Sequence, residues 1–203
     1  LNIIAKGAAL EQTAQTALEQ TLSKLPIAKM MHYQVQQKNG SLVEVQFARP
    51  AHRIIALYGD TVLNISSLGI HASNETEGHR FLAPGVLTIN TAGQYENDLQ
   101  NKAKVIPSFS KRREQIKVAL LKMAGDDLAL MPDSLLDEVT ALVEWPAVYE
   151  CQFDQEFLEV PQECLILTMQ TNQKYFALTD KQGKLRNRFL IVSNIETTAP
   201  SAI

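Results

Sequence analysis

Glu77, His79 and Arg80 cluster around Gly78, and Phe81 follows directly. An imidazole can give or take a proton near neutral pH, and an arginine can clamp a phosphate. A carboxylate such as Glu77 could help to position a water. The ordinary alternative is a histidine held by its own hydrogen bonds at a strand edge. Arg49, His52 and Arg53 form a second cationic group, open to the same two readings. In Gln173-Lys174-Tyr175-Phe176, Tyr175 could stack a base and Lys174 could pair with a phosphate, whereas Phe176 reads as core. The strongest electrostatic feature is Lys102, Lys104, Lys111, Arg112, Arg113, Lys117 and Lys122, with only Glu114 among them. Such a cluster gains by releasing counterions from a nucleic-acid backbone. It also fits a solvated helix face. Arg112 and Arg113 near a helix start oppose the helix dipole, which favours an external anion.

Other chemistry has no footing in the sequence. There is no glycine-rich phosphate loop, no Gly-x-Ser-x-Gly elbow and no Cys/His group at zinc spacing. His32, His52, His71 and His79 lack metal-helix spacing. The net charge of -3 over 203 residues argues weakly against a dedicated nucleic-acid module, yet leaves room for a local basic patch. Apolar content of 45% suits an ordinary globular chain with a real core. Cys151 and Cys164 sit in apolar surroundings and read as buried thiols in a reducing cytoplasm. No apolar run approaches the roughly 20 residues that span a bilayer, and no signal peptide opens the chain. The chain starts at Leu1 and reads as an internal piece of a longer protein, located in the cytoplasm.

The elements that must position these residues follow from periodicity. A helix is expected over 8–24, ended by Pro26, and a half-buried strand at Val43, Val45 and Phe47. Strands at 53–58 and 61–65 flank the hairpin signal Gly59-Asp60, with 68–71 extending the sheet. Residues 73–78 read as a polar loop and 86–89 as a short strand. Tyr95, Leu99 and Ala103 mark a short helix. A longer one starts at Ser108 or Ser110, carries Ile116, Leu120 and Met123 as its stripe, and ends at Gly125. Residues 124–131 read as a connection. Ser134 with Asp137 is in capping-box position for a helix burying Leu135, Leu136, Val139, Leu142 and Val143, closed by Pro146. Trp145 reads as a packing anchor. Strands are expected at 148–153, 164–169, 175–178 and 189–192, with turns at 170–172 and 180–183. The pattern is α+β: one domain over 1–203, strand-rich to 89, helical over 90–146 and strand-rich to the end.

Several words of the chain carry a family resemblance. They are Lys24-Leu25-Pro26-Ile27-Ala28-Lys29-Met30-Met31, Phe47-Ala48-Arg49-Pro50-Ala51-His52, Gly78-His79-Arg80-Phe81, Val143-Glu144-Trp145-Pro146, Gln173-Lys174-Tyr175-Phe176, Gly183-Lys184-Leu185 and Val192-Ser193-Asn194. Through them the chain resembles the β subunit of the bacterial heterotetrameric glycyl-tRNA synthetase. It departs from the family at His32-Tyr33, where Arg-Trp is usual after the Pro-Ile-x-Lys word. The resemblance implies packed antiparallel or mixed sheets, sandwich-like with flanking helices, as in the editing-type module of the phenylalanyl-tRNA synthetase β subunit. It implies an α subunit, tRNA and the remaining β-subunit domains as partners. It also implies that ATP is used at the α subunit, with no cofactor, metal or catalytic residue in this stretch. The adenylate-forming signatures are missing from the sequence, in keeping with that division: no His-x-Gly-His, no Lys-Met-Ser-Lys-Ser and no class II arginine motifs. The candidate tRNA contacts are Lys104, Lys111, Arg112, Arg113 and Lys117, with His79, Arg80, Arg49, His52, Lys174 and Tyr175. A role in positioning tRNA and scaffolding the subunit is the leading expectation. Hydrolytic editing of mischarged tRNA and a purely structural module are the alternatives. Glycine's small size lets a synthetic site exclude larger competitors sterically, which lessens the need for editing.

Overall fold

Residues 7–37 and 39–197 are described by a computed structural model. The chain divides into two units. One runs up to Glu77 and takes in Gly85–Asp98; the other comprises Gly78–Pro84 and the chain from Leu99 onward.

The first unit begins with helix α1 (Leu10–Lys24). None of its residues is fully buried; Ala14, Leu18 and Leu22 of its apolar stripe are half-buried. Polar side chains help to hold it. The Gln15 amide accepts from the Ser66 N–H at 2.8 Å and donates to the Ser66 carbonyl at 2.7 Å, while Glu11 accepts from the Asn64 N–H at 2.8 Å. Strands β1 (Met31–Gln36) and β2 (Leu42–Phe47) pair antiparallel, from Met31 opposite Phe47 to Gln36 opposite Leu42, and Val45 points into the core. The expected hairpin about Gly59-Asp60 forms, but with two-residue strands β3 (Leu57–Tyr58) and β4 (Thr61–Val62). A second small hairpin joins β5 (Ser66–Ser67) and β6 (Ile70–His71). Contrary to the loop expected at 73–78, β7 (Glu75–Glu77) pairs with β8 (Val86–Thr88). The Glu-Thr-Glu alternation suits a strand, because Arg53 bridges the two exposed carboxylates, Glu75 at 3.3 Å and Glu77 at 3.1 Å.

Helix α2 (Tyr95–Lys102) starts in the first unit and ends in the second. The second unit is built on one antiparallel sheet in the order β10-β12-β11-β9. These strands are β9 (Leu128–Ala129), β10 (Ala147–Gln152), β11 (Phe176–Thr179) and β12 (Leu185–Ser193). Helices α3 (Phe109–Ala124) and α4 (Asp133–Leu142) cover one face, where Ile116, Leu120, Leu135, Leu136 and Val139 meet Phe176, Leu178 and Leu190. The alternate residues face the other side. There Ala177, Leu185 and Phe189 pack with Leu165, Ile166 and Met169 of α5 (Gln162–Thr168) and the turn after it. With both faces covered, every residue of β11 is buried. The chain is α+β with antiparallel sheets, as expected, and in this unit the sheet is flanked by helices on both faces.

Several local expectations are corrected here. The apolar run 164–169 is α5 and not a strand. Short apolar runs do not distinguish the two by periodicity, and Pro161 favours a helix start. The turn expected at 170–172 is a wide helical turn over Met169–Gln173 that closes on Lys174 at φ 59°. Ser134 does not cap α4: Pro132 occupies that place and Ser134 lies inside the first turn. Leu142 and Met123 turn outward at 63% and 41% exposure, and Ala124 takes the buried place in α3. The connection 124–131 contains β9, paired with Leu178 and Thr179 of β11. Cys164 is exposed and Cys151 only half-buried. Ser108 does cap α3, accepting from the Lys111 N–H at 3.4 Å, and Gly125 ends it at φ 63°.

Candidate nucleic-acid interface

Two of the words that carry the resemblance meet at one buried side chain, and a third joins them through Asn194. His79 is 1% exposed. Its backbone N–H donates to the Ala103 carbonyl at 2.7 Å. On the ring, Nε2 lies 2.7 Å from the Asn194 carbonyl, and Nδ1 is approached by the N–H groups of Phe81 at 3.2 Å and Leu82 at 3.1 Å. A carbonyl only accepts and an amide N–H only donates, so these partners assign the proton to Nε2 and leave Nδ1 as the acceptor. Asn194 carries the link onward: its Oδ1 accepts from the N–H of Glu144 at 2.7 Å and of Trp145 at 3.0 Å.

The same hub holds two cation–aromatic pairs. The Arg80 guanidinium lies 5.9 Å from the centre of the Phe81 ring, and the Lys104 ammonium 4.7 Å from that of Trp145. Lys104 adopts a left-handed backbone (φ 55°) because it ends α2, where the Ala103 and Val105 N–H groups both bond back to the Leu99 carbonyl. Trp145 is half-buried and its indole N–H reaches Glu196 at 3.4 Å, so it is more than a packing anchor. Gly78 is required by space: a Cβ there would lie 2.5 Å from the Ala83 carbonyl oxygen and 2.9 Å from that of Ala103.

The basic helix is less free than its charge suggests. Arg112 Nε donates to the Thr140 carbonyl at 2.9 Å, its Nη1 bonds the Ile106 carbonyl, and its guanidinium faces Phe109 at 5.8 Å. Arg113 binds Asp137 at 2.5 Å and Asp133 at 2.6 Å, and those two carboxylates, Asp137 first, raise its pKa above the ordinary value. Carbonyls engage Arg112 and carboxylates engage Arg113, so both side chains have partners within the fold. Lys117 and Lys122 are exposed on α3, with Val118 and Leu121 exposed among them, and Lys111 is exposed near its start.

The remaining candidates are scattered. Lys174 bonds Glu138 at 3.0 Å and the Thr171 carbonyl at 2.9 Å. Tyr175 stacks on Phe189 with ring centres 4.7 Å apart, within the second core layer. Arg49 and His52 are exposed in the first unit. Arg53, beside them in sequence, lines a depression with Ile55, Leu57, Thr76 and Tyr95, but Glu75 and Glu77 offset its charge. The structure thus brings His79, Arg80 and Lys104 together, and adds Phe81, Trp145 and Asn194, which charge-based reasoning passed over. The Gly78-His79-Arg80-Phe81 word was the available signal for Phe81; nothing local pointed to Asn194. Among the described residues, no group of His, Cys, Asp or Glu side chains is placed to hold a metal ion, and no helix is long and apolar enough to cross a membrane.

Residues 1–203 match the family described as glycyl-tRNA synthetase beta subunit. Over 199 residues the chain is 56% identical to the glycine--tRNA ligase beta subunit of Ralstonia nicotianae, an alignment that covers 98% of this chain and 28% of that protein. It is 49% identical over 202 residues to the protein of the same name from Methylobacillus flagellatus, covering 98% and 28%. For the one from Janthinobacterium sp. the identity is 50% over 208 residues, covering 100% and 29%. The chain spans less than a third of the length of the curated relatives it matches.

Proposed function

The chain belongs to the glycyl-tRNA synthetase beta subunit family, and on that premise we propose that it is a non-catalytic part of glycine–tRNA ligase that helps to position tRNA and scaffolds its subunit. The observation that carries this reading is the state of the two groups suited to activating a water. Both ring nitrogens of His79 are engaged by backbone groups, so no lone pair is left to act as a base. The Glu77 carboxylate is paired with Arg53 at 3.1 Å. Positioning is favoured over hydrolytic editing for that reason. The partners are the α subunit, where ATP is used and the adenylate forms, the rest of the β subunit, and tRNA. The setting is the cytoplasm.

In this reading Arg80, Lys104, Lys111 and Lys117, with Arg49 and His52, face phosphates, which orient an RNA without reading its sequence. Arg112, Arg113, Lys174 and Tyr175 act by holding the surfaces that carry them. The test is tRNA binding by the complete α–β enzyme across a salt series, beside a deacylation assay with mischarged tRNA. Lys111→Ala with Lys117→Ala should weaken cognate and non-cognate tRNA alike, and flatten the slope of log K against log salt by roughly 0.7–0.9 per lost phosphate contact. Deacylation should stay at background. Unchanged affinity and slope would point to a structural module, and deacylation above background to editing.

A further inference from the structure

We propose that Phe81, flanked by Arg80, is a platform on which one unpaired base of RNA stacks. The inference rests on the reading that this segment meets tRNA, and names where and how. Phe81 is 68% exposed, as open as Tyr58 at 67%. A solitary exposed ring is not unusual in itself. What distinguishes this one is how firmly its backbone is held. The Phe81 and Leu82 N–H groups end on the buried His79 ring, the Ala83 N–H returns to the His79 carbonyl at 3.0 Å, and Gly78 packs too closely against Ala83 and Ala103 to admit a side chain. A core histidine is thus used to fix a ring that faces solvent. A ring held in place beforehand loses little freedom when a ligand lands on it.

The chemistry around the ring favours RNA over a protein partner. Arg80 forms no ion pair among the described residues; its guanidinium lies against the Phe81 ring. The second pair on the same hub, Lys104 over Trp145, repeats the combination of a cation with an aromatic face. Aromatic faces for bases beside cations for phosphates are the working parts of single-stranded RNA sites. Aromatic residues and arginine are also common at the centre of protein interfaces, but lysine is depleted there, so Lys104 beside Trp145 is what tips the balance to RNA. Every base has a π-face, so this contact adds affinity without sequence preference.

The experiment uses the complete α–β enzyme and a glycine tRNA transcript, with affinity measured across a salt series and assembly checked by light scattering. Phe81→Ala and Phe81→Leu should weaken binding roughly 5- to 150-fold, the equivalent of one lost stacking contact, with no change in salt slope. Phe81→Trp should bind like the parent. Arg80→Gln should flatten the slope by roughly 0.7–0.9. Wild-type affinity for Phe81→Ala would overturn the proposal. So would Phe81→Leu binding as well as Phe81→Trp, which would mark a general apolar contact. Loss of assembly with unchanged tRNA affinity in the intact complex would assign the ring to a protein interface and overturn it too. If the Lys111 and Lys117 variant loses tRNA while Phe81→Ala does not, the platform alone fails. If neither variant changes binding, the broader reading fails with it.

Discussion

Replacing His79 with alanine tests the hub directly. The change removes one donor and one acceptor that together satisfy the Asn194 carbonyl and the N–H groups of Phe81 and Leu82. It also leaves a void where a ring is 1% exposed. An orphaned buried polar group costs about 1–3 kcal/mol. The two loop N–H groups lie next to exposed Phe81 and can recover water, so the Asn194 carbonyl and the void should dominate. An overall loss of roughly 3–5 kcal/mol follows. For a chain of this size that lowers the melting temperature by roughly 6–20 °C, taking about 2–4 °C for each kcal/mol. The assay is the fluorescence of Trp145, the single tryptophan, during urea or thermal unfolding. Because Asn194 ties the Trp145 backbone to His79, the native emission should shift as well as the midpoint. His79→Gln, which keeps an N–H donor, should lose less. Equal midpoints for His79→Ala and the parent would refute the claim that this ring anchors the loop.

Gly78→Ala should destabilise by about 1–3 kcal/mol, since the obstructing atoms at 2.5 and 2.9 Å are backbone oxygens that cannot swing aside; unfolding midpoints check this. Arg112→Ala should cost about 1.5–3 kcal/mol, because its charged donors hold the Thr140 and Ile106 carbonyls. Arg113→Ala should cost clearly less, since its partner Asp133 is 90% exposed and the pair is screened; denaturation of the two variants side by side decides the order. Alkylation near pH 8 should label exposed Cys164 before Cys151, as mass spectrometry of the digested chain would show. Burial first, and then the Glu150 charge, raise the Cys151 pKa above its ordinary value. Less thiolate is present there at a given pH than an unshifted thiol would carry, and its labelling rate should rise as the pH is raised.

Local signals were enough for some elements. Ser108 and Gly125 bracket α3, and Ile116 and Leu120 mark its buried side. Asp180 and Gly183 make the turn before β12, with the Gly183 N–H bonded to the Asp180 carbonyl. They failed for α5, whose short apolar run fits either a strand or a helix pressed on a sheet. Charge alone was also a poor guide to Arg112. A sequence shows a cation but not the carbonyls near a helix end that will claim it. The hub was legible only in pieces. The words holding His79, Trp145 and Asn194 were each recognisable, but His79 and Asn194 lie 115 residues apart, and only the folded chain shows that they touch.

The division into units also decides how the molecule can be cut. The chain passes between them at 77/78, at 84/85 and within α2 at 98/99, so no single peptide cleavage releases either one whole. A polypeptide begun at Leu99 would contain the entire four-stranded sheet yet lack Gly78–Pro84. Its Ala103 and Asn194 carbonyls would lose the groups that occupy them in the longer chain. Seven residues borrowed from the middle of the other unit's sequence therefore act as a covalent plug. Supplying Gly78–Pro84 as a free peptide could restore the contacts but not the high local concentration that the tether provides.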